Sequence, residues 1–142
     1  MIVEIDPIDL PEETARAREP INIEQRDHPA WPEGIIEVLM DWNNAANYWT
    51  WEVTIDGSTA IARQPAEYAH TYRFGDYIWF TFLDLSGATS SVAPETLGSS
   101  VDLIAFPGIR SPGFGGWLDR QRPDDTERES LLNEWETNVI QS

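Results

Sequence analysis

The sequence predicts an all-β protein folded as an antiparallel sandwich of two sheets. Three observations carry this prediction. Tyr77–Leu83 is an unbroken run of aromatic and aliphatic residues with one threonine, which strands favour. Tyr48–Ile55 alternates apolar and more polar side chains with the two-residue period of a half-buried strand. Turn signals separate the apolar runs at the spacing typical of a sandwich.

Length and composition indicate one domain. The chain has 142 residues, more than the roughly 100 that a sandwich needs, and can bury a core without cross-links. It has no cysteine, which excludes disulfides and thiolate metal sites. The first residues lack the basic and apolar regions of a signal peptide, and no apolar run approaches the roughly 20 residues that span a bilayer. We therefore expect a protein without a signal peptide and without membrane contact.

The charge balance is strongly acidic. Acidic residues number 25 and basic residues 9, for a net charge of −16, and every basic residue is arginine. Molar salt shortens the Debye length to about 3 Å and removes most of the resulting self-repulsion. The lysine-free composition resembles that of haloarchaeal proteins and their viruses, with an acidic mesophilic protein as the alternative. Binding to nucleic acid is not expected, because no basic patch is available to neutralise phosphates.

Residues 1–32 are predicted to be an N-terminal arm. Five prolines divide this segment into short pieces, and its early aliphatic residues could form an extended stretch that lies on another surface. Asp9 can cap a short helix with Pro11 in its first turn, running to about Glu19.

Residues 33–107 are predicted to form the sandwich. Strands are expected at Ile35–Trp42, at Tyr48–Ile55, at 59–63, in the central run and at Val101–Phe106. Roughly two further strands are needed that the periodicity does not place. Residues 108–142 are predicted to hold a Gly/Pro-rich loop with Phe114 and Trp117, and then a helix from Pro123 to about Asn138.

The run from His70 to Gly87 resembles the polycystic kidney disease (PKD) type of immunoglobulin-like domain. That family shows H-x-Y, P-G-x-Y, an alternating apolar strand and D-x-x-G, with a tryptophan leading into a G-D-G turn further upstream. The matching residues are Trp51, Asp56, Gly57, His70, Tyr72, Gly75, Tyr77, Asp84 and Gly87. The pattern departs at Ile55, at Phe74 and in a strand one residue shorter. The resemblance covers about residues 33–107 and implies an immunoglobulin-like sandwich of adhesive or structural role. It also implies that Trp51 and Tyr77 lie in the core and that His70 and Tyr72 belong to a structural corner.

Catalytic and cofactor sites are not expected. His70 fits the structural position just given, and His28 is predicted to lie in an exposed turn. The sequence has no nucleophile elbow, phosphate-binding loop or dinucleotide fingerprint. Asp56, Asp84 and Asp102 could lie near a cation, but the carboxylates do not follow the spacing of a calcium loop, so no metal is predicted.

The central strand is apolar on both faces. Tyr77, Trp79, Thr81 and Leu83 share one face, and Ile78, Phe80 and Phe82 share the other. Three large apolar side chains left in water would forgo about 1.5–3 kcal/mol each, so a cover is expected from the terminal extensions or a neighbouring subunit. The candidate partner-binding residues are therefore Ile78, Phe80, Phe82, Phe114, Trp117, Leu131 and Trp135.

We expect a non-enzymatic structural and assembly protein. The most specific hypothesis is a virion component, in the capsid decoration, neck or tail of a halophilic archaeal virus. Its extensions would dock on neighbouring subunits of the same or another kind. The alternative is a carbohydrate-binding or cell-surface-binding module that stacks ligands on Trp31, Phe114 and Trp117.

Overall fold

The computed structural model describes residues 7–84 and 86–116, which contain eight strands and the short helix α1. In chain order they are β1 (Pro7–Ile8), α1 (Glu12–Arg16), β2 (Ile21–His28), β3 (Trp31–Asn43), β4 (Tyr48–Ile55), β5 (Ser58–Pro65), β6 (Tyr72–Phe74), β7 (Ile78–Leu83) and β8 (Asp102–Pro107).

The strands form two antiparallel four-stranded sheets. Sheet A has the order β1-β8-β7-β6, and sheet B has the order β2-β3-β4-β5. Within each sheet, neighbouring strands are consecutive in sequence, except that β1 pairs with β8. The predicted all-β sandwich is thus confirmed at the level of two facing antiparallel sheets. Among the described residues, no helix is long and apolar enough to cross a membrane.

The core lies between the two sheets and is centred on aromatic side chains. Trp51 of β4 makes edge-to-face contacts with Phe82, Tyr72 and Phe80 of sheet A, at centroid distances of 4.9, 4.8 and 5.8 Å. Such contacts contribute about 0.5–1.5 kcal/mol each beyond the area they bury. Alternation along β3 and β4 adds further fully buried side chains from sheet B: Ile36, Val38, Met40, Trp49 and Val53.

Part of the predicted arm belongs to the sandwich. Residues 21–28 form β2, which pairs with β3 from Ile21 opposite Met40 to Arg26 opposite Ile35. The sequence pattern missed this strand because it is an edge strand in which mostly polar residues follow Ile21 and Ile23. The periodicity also did not place β6 or the two-residue strand β1, so three strands join the five that were predicted.

The short helix predicted after Asp9 is present, but its first and last residues differ from those expected. Pro11 rather than Asp9 is the N-cap residue, and α1 ends at Arg16 instead of near Glu19. Arg18, with a φ of 59°, lies in the left-handed region, which is incompatible with continuing the helix. The predicted C-terminal helix falls outside the described residues.

Candidate functional site

One end of the sandwich carries a partly exposed group of aromatic side chains. Trp31 begins β3, Phe74 ends β6, and Tyr77 directly precedes β7. The Tyr77 ring lies 6.4 Å from Trp31, edge to face, and 5.6 Å from Phe74. Tyr77 is 41% exposed, whereas Trp31 and Phe74 are half-buried. We call these three residues the aromatic end.

Asp56 fixes the position of Trp31 in the aromatic end. The indole Nε1–H of Trp31 donates to Asp56 Oδ2 at 3.1 Å, and the backbone N–H of Ile35 donates to Oδ1 at 2.8 Å. The Ile35 hydrogen bond, followed by the Trp31 hydrogen bond, lowers the pKa of Asp56 below its ordinary value. A Cβ on Gly34 would overlap the Trp31 ring, so glycine at this position lets the indole lie against the backbone. The Trp31 ring is therefore held in place by contacts within the chain itself.

The segment after β8 braces the same end of the molecule. Gly108 N–H donates to the Tyr77 carbonyl at 2.8 Å, and the Arg110 guanidinium pairs with Asp76 at 2.7 Å. Ser111 Oγ donates to the Ala30 carbonyl at 2.8 Å, which ties the segment to the β2–β3 turn. The segment after β8 thus connects the loop that carries Tyr77 to the turn that precedes Trp31.

A shallow acidic pocket lies on the outer face of sheet B beside Asp56. Its volume is about 240 Å³, and its lining includes Glu24, Ile35, Glu37 and Thr54. Glu24 and Glu37 are directly opposite each other on β2 and β3, and Thr54 donates to Glu37 at 3.2 Å. Across the described ranges, no group of three or more His, Asp and Glu side chains is arranged to hold a metal ion.

Asp84 organises the turn after β7. Its Oδ1 accepts from the backbone and hydroxyl of Ser86, at 2.8 and 2.6 Å, and its Oδ2 accepts from the backbone and hydroxyl of Thr89, at 2.9 and 2.8 Å. The Ser86 and Thr89 side-chain hydrogen bonds hold the pKa of Asp84 far below its ordinary range. Burial, followed by the charges of Asp9 and Asp84, raises the pKa of Asp102. Gly87 takes a φ of 74° in this turn, a conformation that glycine adopts without strain.

Tyr72 forms a corner between the sheets. Its hydroxyl accepts from the Glu67 backbone N–H at 2.8 Å and donates to the Pro65 carbonyl at 2.6 Å. Burial is the main reason that the pKa of Tyr72 is raised. The His70 ring packs edge-on against Tyr72 at 4.7 Å and remains about half exposed.

His28, expected in an exposed turn, is instead buried, and its Nδ1 accepts from the Ala30 N–H at 3.0 Å.

The prediction that Ile78, Phe80 and Phe82 form a partner-binding surface is wrong. All three side chains are 0% exposed and belong to the core between the sheets. Tyr77, which the PKD resemblance placed in the core, is exposed. The two assignments fail together because the face of β7 that carries Ile78, Phe80 and Phe82 points into the space between the sheets, and the face that follows Tyr77 points away from it.

Both faces of sheet A are nevertheless apolar and largely covered. On the face away from the core, Trp79 stacks on Phe106 at 4.8 Å. Thr81, Ile104 and Phe106 are buried there as well. Phe114, predicted to be an exposed contact residue, is only 8% exposed. Trp117, Leu131 and Trp135 lie outside the described residues.

Sequence reasoning named Trp31 as a loop aromatic but missed its link to Asp56, because a contact across 25 positions leaves no local signal. Tyr77 could have been found from the Gly75-Asp76 turn signal, since a residue in a turn is commonly exposed. Comparison of the chain with family models, curated proteins and solved structures finds no match in any of the three.

Proposed function

We propose that this chain is a non-enzymatic structural and assembly protein that contacts another subunit through the aromatic end. The observation that carries the proposal is the exposed Tyr77 ring, supported by a Trp31 side chain that Asp56 holds in place. Rigid aromatic side chains contribute strongly to protein interfaces because they bury a large area with little loss of conformational entropy. Subunits that bind through such a group avoid the cost of ordering it.

The acidic surface suggests the setting of this assembly. The net charge is −16 without lysine, and the exposed face of sheet B carries Glu24, Asp41 and Glu52. An aromatic contact loses little strength in molar salt, whereas exposed ion pairs are screened. We therefore favour a virion component, in the capsid decoration, neck or tail of a halophilic archaeal virus, with homo- and hetero-oligomeric contacts.

The immunoglobulin-like, PKD-type identity remains part of this proposal. The Tyr72 corner supports it, since such domains hold a tyrosine hydroxyl against backbone a few residues upstream. The order of strands is a departure, because immunoglobulin sheets pair strands that are distant in sequence, whereas consecutive strands pair here.

The proposal predicts that the full-length, tagged chain co-sediments with particles when it is expressed in its native host at the native salt concentration. Tyr77→Ala should release it from the particle fraction of a density gradient. Tyr48→Ala is the matched control, because Tyr48 is 36% exposed at the opposite end of β4 from Asp56. The proposal would be contradicted if the chain remained in the low-mass fractions of every gradient, or if Tyr77→Ala left its association with particles unchanged.

Carbohydrate binding is the second candidate. The aromatic end favours it because Tyr77 and Trp31 lie beside the polar groups of Asp76 and Asp56, which could bind sugar hydroxyls. Phe114 does not add to this surface, since it is buried. Saturable binding to a glycan array that Tyr77→Ala abolishes would favour this function over subunit assembly.

A further inference from the structure

We propose that the free edge of β2 pairs with β2 of a second copy, antiparallel and centred on Gln25, to join two B sheets into one. This proposal adds a partner to the assembly protein proposed above and rests on that function only for its biological purpose.

The edge of β2 that faces away from β3 is long and regular. Among the described residues, β2 pairs with β3 alone, and its register is continuous from Ile21 to Arg26 before a shift at the His28 end. A strand edge presents a row of backbone N–H and C=O groups that can pair with another strand. Asn22, Glu24 and Arg26 on its outward face are exposed.

The other edges of the two sheets are protected or short. β5 has two register shifts against β4 and ends at Pro65, both of which discourage further pairing. β1 has two residues and begins at Pro7, and β6 has three residues. In the described part of the chain, β2 is therefore the edge best able to accept a strand.

The charges of β2 select one register for two identical strands. In a continuous sheet, outward residues must face outward residues, so the two-fold axis must pass through a residue position. An axis at Gln25 places Glu24 opposite Arg26 of the second copy, and Arg26 opposite its Glu24. The regular part of the new ladder then spans Glu24 to Arg26 of each copy, because the register shift of β2 follows Arg26. An axis at Glu24 would place Glu24 opposite Glu24 of the second copy, and an axis at Arg26 would place Arg26 opposite Arg26. An axis at Ile23 would place Glu24 opposite Asn22 without forming a charge pair.

The same register relieves a repulsion within each chain. Glu24 lies opposite Glu37, and like charges opposite each other destabilise a sheet. The nearby cation is Arg26 of the same strand, 3.3 Å from Glu24. Pairing at Gln25 brings a second guanidinium to the other side of Glu24. The charges on this edge therefore favour the Gln25 register of self-pairing, most strongly at low salt, where exposed charges are least screened.

The absence of cysteine from the sequence permits a direct test with single engineered thiols. Gln25→Cys in the full chain, oxidised in molar salt, should form a disulfide-linked dimer, because opposite residues in an antiparallel pair have Cα atoms about 4.5–5.5 Å apart. Gln64→Cys on β5 is the control and should remain monomeric. Equal cross-linking of both variants, or monomers only, would overturn the proposal.

A charge swap tests the register without relying on the cysteine variants. Glu24→Arg or Arg26→Glu alone replaces two attractions with two repulsions and should weaken dimerisation about 10-fold to 100-fold at moderate salt. The double swap, Glu24→Arg with Arg26→Glu, should restore it. Failure of the double swap to restore dimerisation, with native circular dichroism retained, would refute the Gln25 register. Retention of these variants in the particle fraction tests the proposed function separately, since the aromatic end is unchanged.

Discussion

Phe82→Ala tests whether the inward face of β7 is core rather than a docking surface. The Phe82 side chain is fully buried and contacts Trp51 at a centroid distance of 4.9 Å and Tyr72 at 6.4 Å. Truncating a buried phenylalanine costs about 3–5 kcal/mol, a large share of the roughly 5–15 kcal/mol that stabilise a domain. With a urea m-value of about 2 kcal/mol/M, a loss of about 4 kcal/mol lowers the unfolding midpoint by about 2 M.

The assay is urea unfolding at constant molar salt, followed by tryptophan fluorescence. Urea is preferred because guanidinium chloride would change the ionic strength together with the denaturant concentration. Tyr77→Ala is the control and should cost clearly less than Phe82→Ala, since the Tyr77 side chain is 41% exposed. A loss below about 1 kcal/mol for Phe82→Ala, with partner binding abolished, would refute the assignment of Phe82 to the core.

Three further predictions concern charged groups. The pKa of Asp84 is lower in the folded state than in the unfolded state, so its contribution to the free energy of unfolding is complete above about pH 5 and is lost as the pH falls towards the folded pKa. Asp84→Asn should therefore reduce the loss of stability that is measured when unfolding is followed at decreasing pH. Glu37→Gln should raise stability by about 0.2–1 kcal/mol at about 0.1 M salt and by less at about 2 M, as measured by thermal unfolding, because it removes the repulsion with Glu24; equal gains at both salt concentrations would count against that cause. Arg63→Lys should cost up to about 1 kcal/mol at low salt, because lysine cannot reproduce the two guanidinium N–H groups that donate to Glu52 Oε1. A double-mutant cycle with Glu52→Gln that shows no coupling would contradict this explanation.

Local sequence patterns were sufficient to predict the strands that have one solvent-exposed face or a continuous apolar run. Tyr48–Ile55 was predicted with the bounds that β4 has, because its period of two reflects burial on one side only. β2 escaped prediction for the opposite reason, since an edge strand needs few apolar residues and β3 provides much of its stabilisation.

The candidate site was harder to predict because its parts come together only in the fold. The Trp31–Asp56 hydrogen bond and the Arg110–Asp76 ion pair connect loops that are distant in sequence. Which face of β7 points inward is set by how the strand pairs with β6 and β8 and packs on sheet B, and these contacts are distant in sequence. The sequence shows that both faces of β7 are apolar, but it does not show which of them points into the core.

Hydroxyl-radical footprinting of the full chain, free and within its assembly, tests the central claim most directly. Oxidation rates of Tyr77 and Tyr48, the two large apolar side chains most exposed among the described residues, would be compared in the two states by mass spectrometry. We predict strong protection of Tyr77 in the assembly and an unchanged rate for Tyr48. Equal oxidation of Tyr77 in the free and assembled states would contradict the aromatic end as the contact surface.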